Sequence, residues 1–582
     1  MKTVVTMLSR RVRSVPRPPV PPVVFRIGVT GHRPNRLGPD TSALVEKLGS
    51  VFAHIQKEVI AFGTTHEDVG TPRLQLISSL AEGVDRMAAH CALDLGYELQ
   101  VPLPFPREEY AADFAEPRSH DEFHALLARA NSVFELESSP PHRELAYRAA
   151  GHIVLRQCDL LLAVWDGEPS RGIGGTSELI DIARDTGRSI LFMSAAAPHL
   201  LSFGEDANAI ACLSELIHAT LARPAGASAQ ARQSYSNEKW PQRIATTSHT
   251  VLRLLGDHKW TLASAPELAA STELESSVIA PYFRWADALA VRYGELSRSA
   301  AMRMQLLALG AVLSAILILP FEEHHLWQQS FSFCEVGCIL WLLVEAARSS
   351  RSDWHARWMT YRSLSERLRC LDFLGPLTAA TPSVLSDSLL NRQSNVREFG
   401  ALFMEAVTRE YGLAPGKVNA AFLDSRAHAL ACVIRSQASF QHRISYRYES
   451  VEKALQRAGI LLFLIAVAFC LLDVLRAIMP HLFDDLNAFG FSGVRVATAA
   501  AIIPALGAAL AGLAAQGEYK RLAMRAESTS KTLQQLLAEL ESHVSPSLHT
   551  LQVLAAKLAQ VLISEVQDWQ VLVAAKPPVL PT

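Results

Sequence analysis

Four apolar runs, at roughly 304–320, 330–347, 458–478 and 494–515, set the limits for this chain of 582 residues. Hydrocarbon offers no partner to a backbone N–H or C=O, so a segment that crosses it must be a helix or part of a closed barrel. Each run is close to the ~20 residues that a helix needs to cross a bilayer. A buried core helix is the rival for any single run, but four in two close pairs point to membrane. Arg292, Arg298 and Arg303 precede the first pair and Arg348, Arg351 and Arg357 follow it, while its connecting loop FEEHHLWQQ has no Lys or Arg. Arg457 precedes the second pair and Lys520, Arg521 and Arg525 follow; its loop MPHLFDDLNAFGFSG is acidic, with Arg476 and Arg495 at the rims. Excess positive charge marks the cytoplasmic side. Both hairpins are therefore expected to leave the cytoplasm and return, with the N-terminal half and the C-terminus inside and Trp327 as an interfacial anchor.

Within the runs, Glu335 and Asp473 are expensive in lipid and are expected to face protein or water. Glu345 is expected at the cytoplasmic boundary. The last run, VRVATAAAIIPALGAALAGLAAQG, is made largely of small residues. Gly507 with Ala511, and Ala508 with Gly512, permit close helix approach, and Pro504 predicts a kink. A tight bundle and a pore-lining segment are both compatible with this composition.

The first half reads differently. VVFRIGVTGHRPN, PRLQLISSL, YELQVPLPFP, CDLLLAVWD and RSILFMS read as strands. Helical spacing separates them, over 40–62 with Asp40 or Thr41 as N-cap, over AEGVDRMAAHCALDLG, over roughly 107–130 and 143–157, and from about Gly175. Strand and helix in alternation predict an α/β, doubly wound parallel sheet. In such sheets ligands bind beyond the carboxyl ends of the strands. Three of those ends carry unusual residues: TGHR, SSLAEGVDR and WDGEPSRGIGGTSE. Glycine lets backbone approach a ligand, and a helix N-terminus offers free N–H donors, so phosphate is the natural guest. Arg33, Arg86 and Arg171 are candidates for charge-assisted bonds. Each piece has a plainer alternative: a tight turn for the glycines, an ion pair with Asp85 or a nearby carboxylate for Arg86, a turn cap for His32 and for Asp166.

Composition narrows the partners. Lys and Arg total 55 against 57 Asp and Glu, a net charge of −2. No basic excess and no basic stripe with interleaved aromatics point to nucleic acid. The eight cysteines form neither CxxC nor a Cys/His zinc arrangement, so no metal site is expected and reduced, cytoplasm-facing thiols fit. Cys334 and Cys338 are one helical turn apart in an apolar run, where packing explains them.

ISSLAEGVDRMAAHCALDLGYELQVPLPFP resembles the strand–helix–strand of the DNA-processing protein A and LOG families, members of the SLOG superfamily of Rossmann-like proteins. GVTGHR, LPFPREEYAADF and AVWDGEPSRGIGGTSELIDIAR are similar to SLOG domains that sense nucleotide-derived signals in bacterial conflict systems. The resemblance covers roughly 23–195. It implies a ligand site with Gly31, His32 and Arg33 in the first loop, Ser78, Gly83, Asp85 and Arg86 in the second, and Asp166, Gly167, Gly174, Gly175, Thr176 and Glu178 in the third. LOG enzymes cleave an N-glycosidic bond in nucleoside monophosphates, and their glycine motif reads PGGxGTxxE. Here SRGIGGTSE keeps Gly175, Thr176 and Glu178 without the leading Pro-Gly-Gly. The enzyme reading gives Glu178 a positive sugar-like transition state to stabilise and Arg86 a phosphate to hold. The departure favours binding without turnover, with no cofactor beyond the nucleotide-derived ligand.

Each apolar pair stands between a long polar helix and a charged amphipathic one, and this organisation, with YRSLSERLR after the second run, resembles the SLATT family of two-transmembrane effectors that accompany SLOG domains. That resemblance implies a pore-forming homo-oligomer in a bacterial inner membrane, used in antiphage defence. The organisation expected is a basic Pro-rich tail (1–22), a ligand-binding domain (23–195), a linker with short helices (196–278), a first two-span unit (279–375), a helical connector (376–436) and a second two-span unit with C-terminal helices (437–582). A membrane-tethered nucleotide hydrolase and a non-pore membrane scaffold are the alternatives.

Overall fold

A computed structural model describes residues 17–37, 40–64, 72–114, 116–137, 143–168, 174–203, 208–221, 227–240, 246–255, 277–321, 324–379, 395–479 and 493–574. Arg171, the loop 480–492 and the Asp473 side chain lie outside the described parts.

The strands are β1 (Val24–Gly31), β2 (Arg73–Ile77), β3 (Glu98–Leu103), β4 (Ser132–Glu135), β5 (Leu160–Trp165), β6 (Ser189–Ser194), β7 (Leu201–Phe203) and β8 (Gly416–Lys417). They form one sheet in the order β7-β6-β5-β1-β2-β3-β4-β8. All pairs are parallel except β6 with β7. Between the strands run α1 (Ser42–Thr64), α2 (Val84–Asp94), α3 (Arg107–Ala111), α4 (Pro117–Ala128), α5 (Arg143–Gln157) and α6 (Thr176–Asp185). β1 and β5 are buried along almost their whole length, as their unbroken apolar sequences require for strands covered on both faces. The doubly wound α/β sheet is thus present, with one antiparallel strand at its edge.

The sheet domain runs past the expected boundary at 195. β7 closes one edge, and α7 (Ala209–Leu221) packs on α1, where His218 Nε2 lies 3.2 Å from Glu58 Oε2. The linker expected over 196–278 also holds α8 (Ala227–Ser236) and α9 (Thr247–Leu255). Tyr235 of α8 is buried, and its hydroxyl donates to Pro19 O at 2.9 Å. Residues 17–22 are therefore packed rather than a free tail. Aromatic burial overrides the polar, Ala/Ser-rich look of these stretches.

The second half is helical: α10 (Ala280–Leu317), α11 (His325–Ser352), α12 (Trp354–Leu374), α13 (Asn395–Tyr411), α14 (Ala420–Ile478), α15 (Gly493–Gly517), α16 (Tyr519–Glu541) and α17 (Leu548–Ala574). Four helical stretches are long and apolar enough to cross a bilayer; they contain the first two expected runs and overlap most of the other two. α11 packs on α10, α10 on α15, and α15 on α14. Large apolar side chains of α11 (Phe333, Leu340, Trp341, Val344) and α14 (Ile460, Phe463, Leu464, Ile478) are exposed, as a hydrocarbon surround allows and water would penalise. Trp327 is exposed at the start of α11, and Pro504 sits inside α15. Glu345 is buried and takes Arg303 Nε at 3.1 Å, joining α10 to α11. Glu335 is half-buried on the same row of α11 as Cys338, which meets Gly310 of α10.

α14 spans 59 residues without a break, about 88 Å at 1.5 Å per residue. Its N-cap Asn419 accepts from Phe422 N at 2.8 Å, and its far end is the third apolar run. The expected division at 436 therefore falls inside a helix. One apolar core joins Phe134 and Leu136 of the sheet domain to residues of α10, α12, α13, α14, α16 and α17. α13 is clipped to the foot of the sheet: Arg409 Nε donates to Asp159 Oδ1 at 2.9 Å, and Leu413 N donates to Gln100 Oε1 at 3.0 Å.

Candidate functional site

β1 hydrogen-bonds to both β2 and β5, and from there the chain winds outward in opposite directions. This is the switch point of a doubly wound sheet, where a crevice opens at the carboxyl ends of the strands. The three expected loops meet there.

The first and third loops are joined across the switch point. His32 is 4 % exposed, and its Nε2 lies 2.9 Å from Asp166 Oδ1. Arg36 pairs with the other oxygen of Asp166, and Thr176 Oγ1 donates to Gly31 O at 3.1 Å. Asp166 also accepts Glu168 N at 3.0 Å, so the turn-capping alternative is realised. Burial pushes the Asp166 carboxyl up, but the Glu168 N–H, His32 and Arg36 outweigh it and hold it below the usual carboxylate value.

Gly83 joins the second loop to the first. Its φ is +97°, and a Cβ there would stand 2.5 Å from His32 O. Only glycine fits both demands. Gly31 is crowded in the same way by Val84. Ser78 and Asp85 lie buried beneath this joint, with the Ser78 hydroxyl 3.2 Å from Asp85 Oδ2. Burial lifts Asp85 to about 7, against the opposing pull of Ser78, the Ala81 backbone, Arg33 and Arg86.

Arg86 is buried between the second loop and α4. It is 3 % exposed, and its Nε donates to Leu80 O at 3.1 Å. Its Nη1 donates to Ser119 O at 2.9 Å and to Glu122 Oε2 at 3.1 Å. The guanidinium lies 4.2 Å from the Phe114 ring centre. The ion-pair alternative thus describes most of what Arg86 does, although Nη2 is buried without a partner.

Gly175 is the N-cap of α6, and Glu178 is its third residue. The Glu178 carboxylate accepts Gly174 N and pairs with Arg148 Nη2 at 2.5 Å. It behaves as a capping group that ties α6 to α5. Gly174, at φ +79°, would bring a Cβ to 2.9 Å from Arg148 N, whereas Gly167, at φ +89°, faces open space.

The expected residues therefore fall into two sets. His32, Ser78, Gly83, Asp85 and Arg86 are buried and build the scaffold. Gly31, Arg33, Asp166, Gly167, Gly174, Gly175, Thr176 and Glu178 keep accessible surface around the crevice. The structure adds a polar wall that residue spacing does not reveal. Arg143 of α5 donates to Glu109 Oε1 at 2.9 Å and to Asp113 Oδ1 at 2.6 Å. The Tyr147 hydroxyl donates to Asp113, and Arg33 hydrogen-bonds Tyr147. Burial and Asp113 together raise the Tyr147 phenol, which keeps it a proton donor. The stretches carrying these residues, LPFPREEYAADF and the start of α5, are legible as helix or motif, but only the fold brings them together.

Chemically the crevice offers backbone N–H groups at glycine turns, the guanidinium groups of Arg33, Arg36, Arg143 and Arg148, and carboxylates suited to hydroxyl groups. This set can take up an anion that also bears hydroxyl groups. Among the described residues no three His, Cys, Asp or Glu side chains gather as a metal site. In comparison with known proteins, the chain matches no family model and no curated protein.

Proposed function

We propose that this chain is a membrane-anchored sensor–effector. Its sheet crevice takes a nucleotide-derived or otherwise phosphorylated small molecule, and the bound form opens a path through the four-span region of a homo-oligomer. The observation that carries this reading is the meeting of three glycine-bearing strand ends at the switch point of a sheet that shares a core with the span-bearing helices. The likeness of its motifs to SLOG and SLATT proteins supports a bacterial inner membrane, with the sheet and the C-terminus cytoplasmic, and a use in antiphage defence. Within one chain the space between α10, α14 and α15 is a cavity of about 160 Å³ lined by Leu306, Leu309, Leu462, Leu506, Leu510 and other residues. It is almost wholly apolar, so passage of solutes requires several copies and a rearrangement. A ligand drives that rearrangement only by binding the two states with different affinity.

The capping role of Glu178 supports binding over hydrolysis. The test is a thermal-shift screen of the full chain in detergent against linear and cyclic nucleotides, followed by dye release from liposomes. A ligand that binds only the folded form raises the midpoint, and the same ligand should release dye. Free base appearing from nucleoside monophosphates, and disappearing in Glu178→Ala, would overturn the reading in favour of a hydrolase. Binding without release of dye would favour a scaffold.

A further inference from the structure

α3 has five residues and is held at both ends. At one side Glu109 and the nearby Asp113 belong to the crevice wall through Arg143, Tyr147 and Arg33. At the other, Arg107 is gripped by Glu135, the last residue of β4. Arg107 N lies 3.1 Å from Glu135 Oε2, and its Nε and Nη2 lie 2.8 and 2.5 Å from Oε1.

Glu135 also faces the helical half. It is paired in register with Lys417 of β8, and its carbonyl accepts Val418 N at 2.8 Å. The Lys417 ammonium stands 4.0 Å from Oε2, at the limit of an ion pair. Two residues after Lys417, Asn419 caps α14, which continues unbroken into the third apolar run. One buried carboxylate, 2 % exposed, thus has a close cationic partner on the crevice side and a distant one on the membrane side.

We propose that Glu135 is the relay between crevice and third span, exchanging Arg107 for Lys417 when α3 moves. This rests on the ligand crevice proposed above. An anion that engages Arg143 competes with Glu109 and Asp113 for it and loosens the crevice side of α3. Displacement of α3 withdraws Arg107 from Glu135. A buried carboxylate cannot be left without a cation, so it closes on Lys417. That contact shifts β8 along the sheet edge and carries the first turn of α14 with it. An uninterrupted helix passes the movement to the span without a hinge. The remaining contacts of this segment, Ser132 Oγ to Leu413 O at 2.7 Å and Leu413 N to Gln100, lie at the opposite ends of the strands and act as the pivot.

Hydrogen exchange on the full chain in lipid nanodiscs tests the relay without knowledge of the ligand. Arg143→Ala frees Glu109 and Asp113 from their shared cation. Exchange over residues 413–423 should rise at least ~5-fold, the lower end of couplings between sites. Glu135→Gln and, separately, Lys417→Met should each abolish that rise when combined with Arg143→Ala. Lys417→Met leaves the Arg107–Glu135 contact intact and guards against loss of folding. The relay is overturned if Arg143→Ala speeds exchange in 107–113 alone, or if the rise survives either second substitution. A nucleotide that shifts the melting midpoint without altering exchange at 413–423 would also sink the relay while leaving crevice binding intact.

Discussion

Asp85 gives the sharpest quantitative test of the site. It is 7 % exposed beneath the second loop, and burial lifts its pKa from 3.8 to about 7. In the unfolded chain the same carboxyl titrates near ~3.9. Between these values the folded protein holds a proton that the unfolded chain has released, so stability falls as pH rises through the window. At about 1.4 kcal/mol per pH unit, going from pH 5 to pH 8 costs about 3 kcal/mol, with the slope fading through pH 7 as the folded carboxyl ionises. For a domain of this size that is roughly 5–12 °C in melting midpoint. Asp85→Asn keeps the shape and removes the titration. The assay is thermal unfolding of the full chain in detergent at pH 5 and pH 8, read by pulsed proteolysis with fragments mapped to residues 24–203. The wild type should lose about 3 kcal/mol relative to Asp85→Asn between the two conditions. Equal pH slopes in both proteins would refute the assignment of a neutral buried carboxyl at this position.

Two further substitutions probe the joints. Gly83→Ala forces a Cβ to 2.5 Å from His32 O at φ +97°, and should destabilise the sheet domain by about 3 kcal/mol in the same proteolysis assay. Asp159→Ala strips the largely buried Arg409 of the acceptor at 2.9 Å; the cost should be about 3–5 kcal/mol, with new cleavage in α13 appearing before cleavage in β1.

Five strands, the helices between them and the four spans can be read from the sequence because each is a long element with a clear apolar pattern. β4 escapes such reading because SVFE is four residues with no run of its own, and β7 is shorter still. β8 has two residues and acquires its meaning only from Phe134 and Glu135, 282 positions earlier. The convergence of the loops at 31–33, 78–86 and 166–178 is legible through glycine and the rule for strand ends. The inward turn of Arg86 is not, since an arginine beside a glycine loop reads equally well as a phosphate clamp or as the partner of Glu122. The wall of Arg143, Tyr147 and Asp113 is likewise invisible, because no periodicity ties α3 to α5. α14 reads as two pieces, since hydropathy changes midway while the backbone does not.

The edge strand β8 also fixes an order of assembly. Ser132 and the Leu413 carbonyl that it binds are 281 residues apart. At ~5–20 residues per second, a ribosome needs roughly 15–60 s to bridge that interval. Throughout that time β4 is an open border on which any passing extended peptide can anneal, and the first two apolar stretches must emerge before the border is sealed. A nascent chain stalled before β8 emerges leaves its sheet unfinished, with that border still open to any extended peptide.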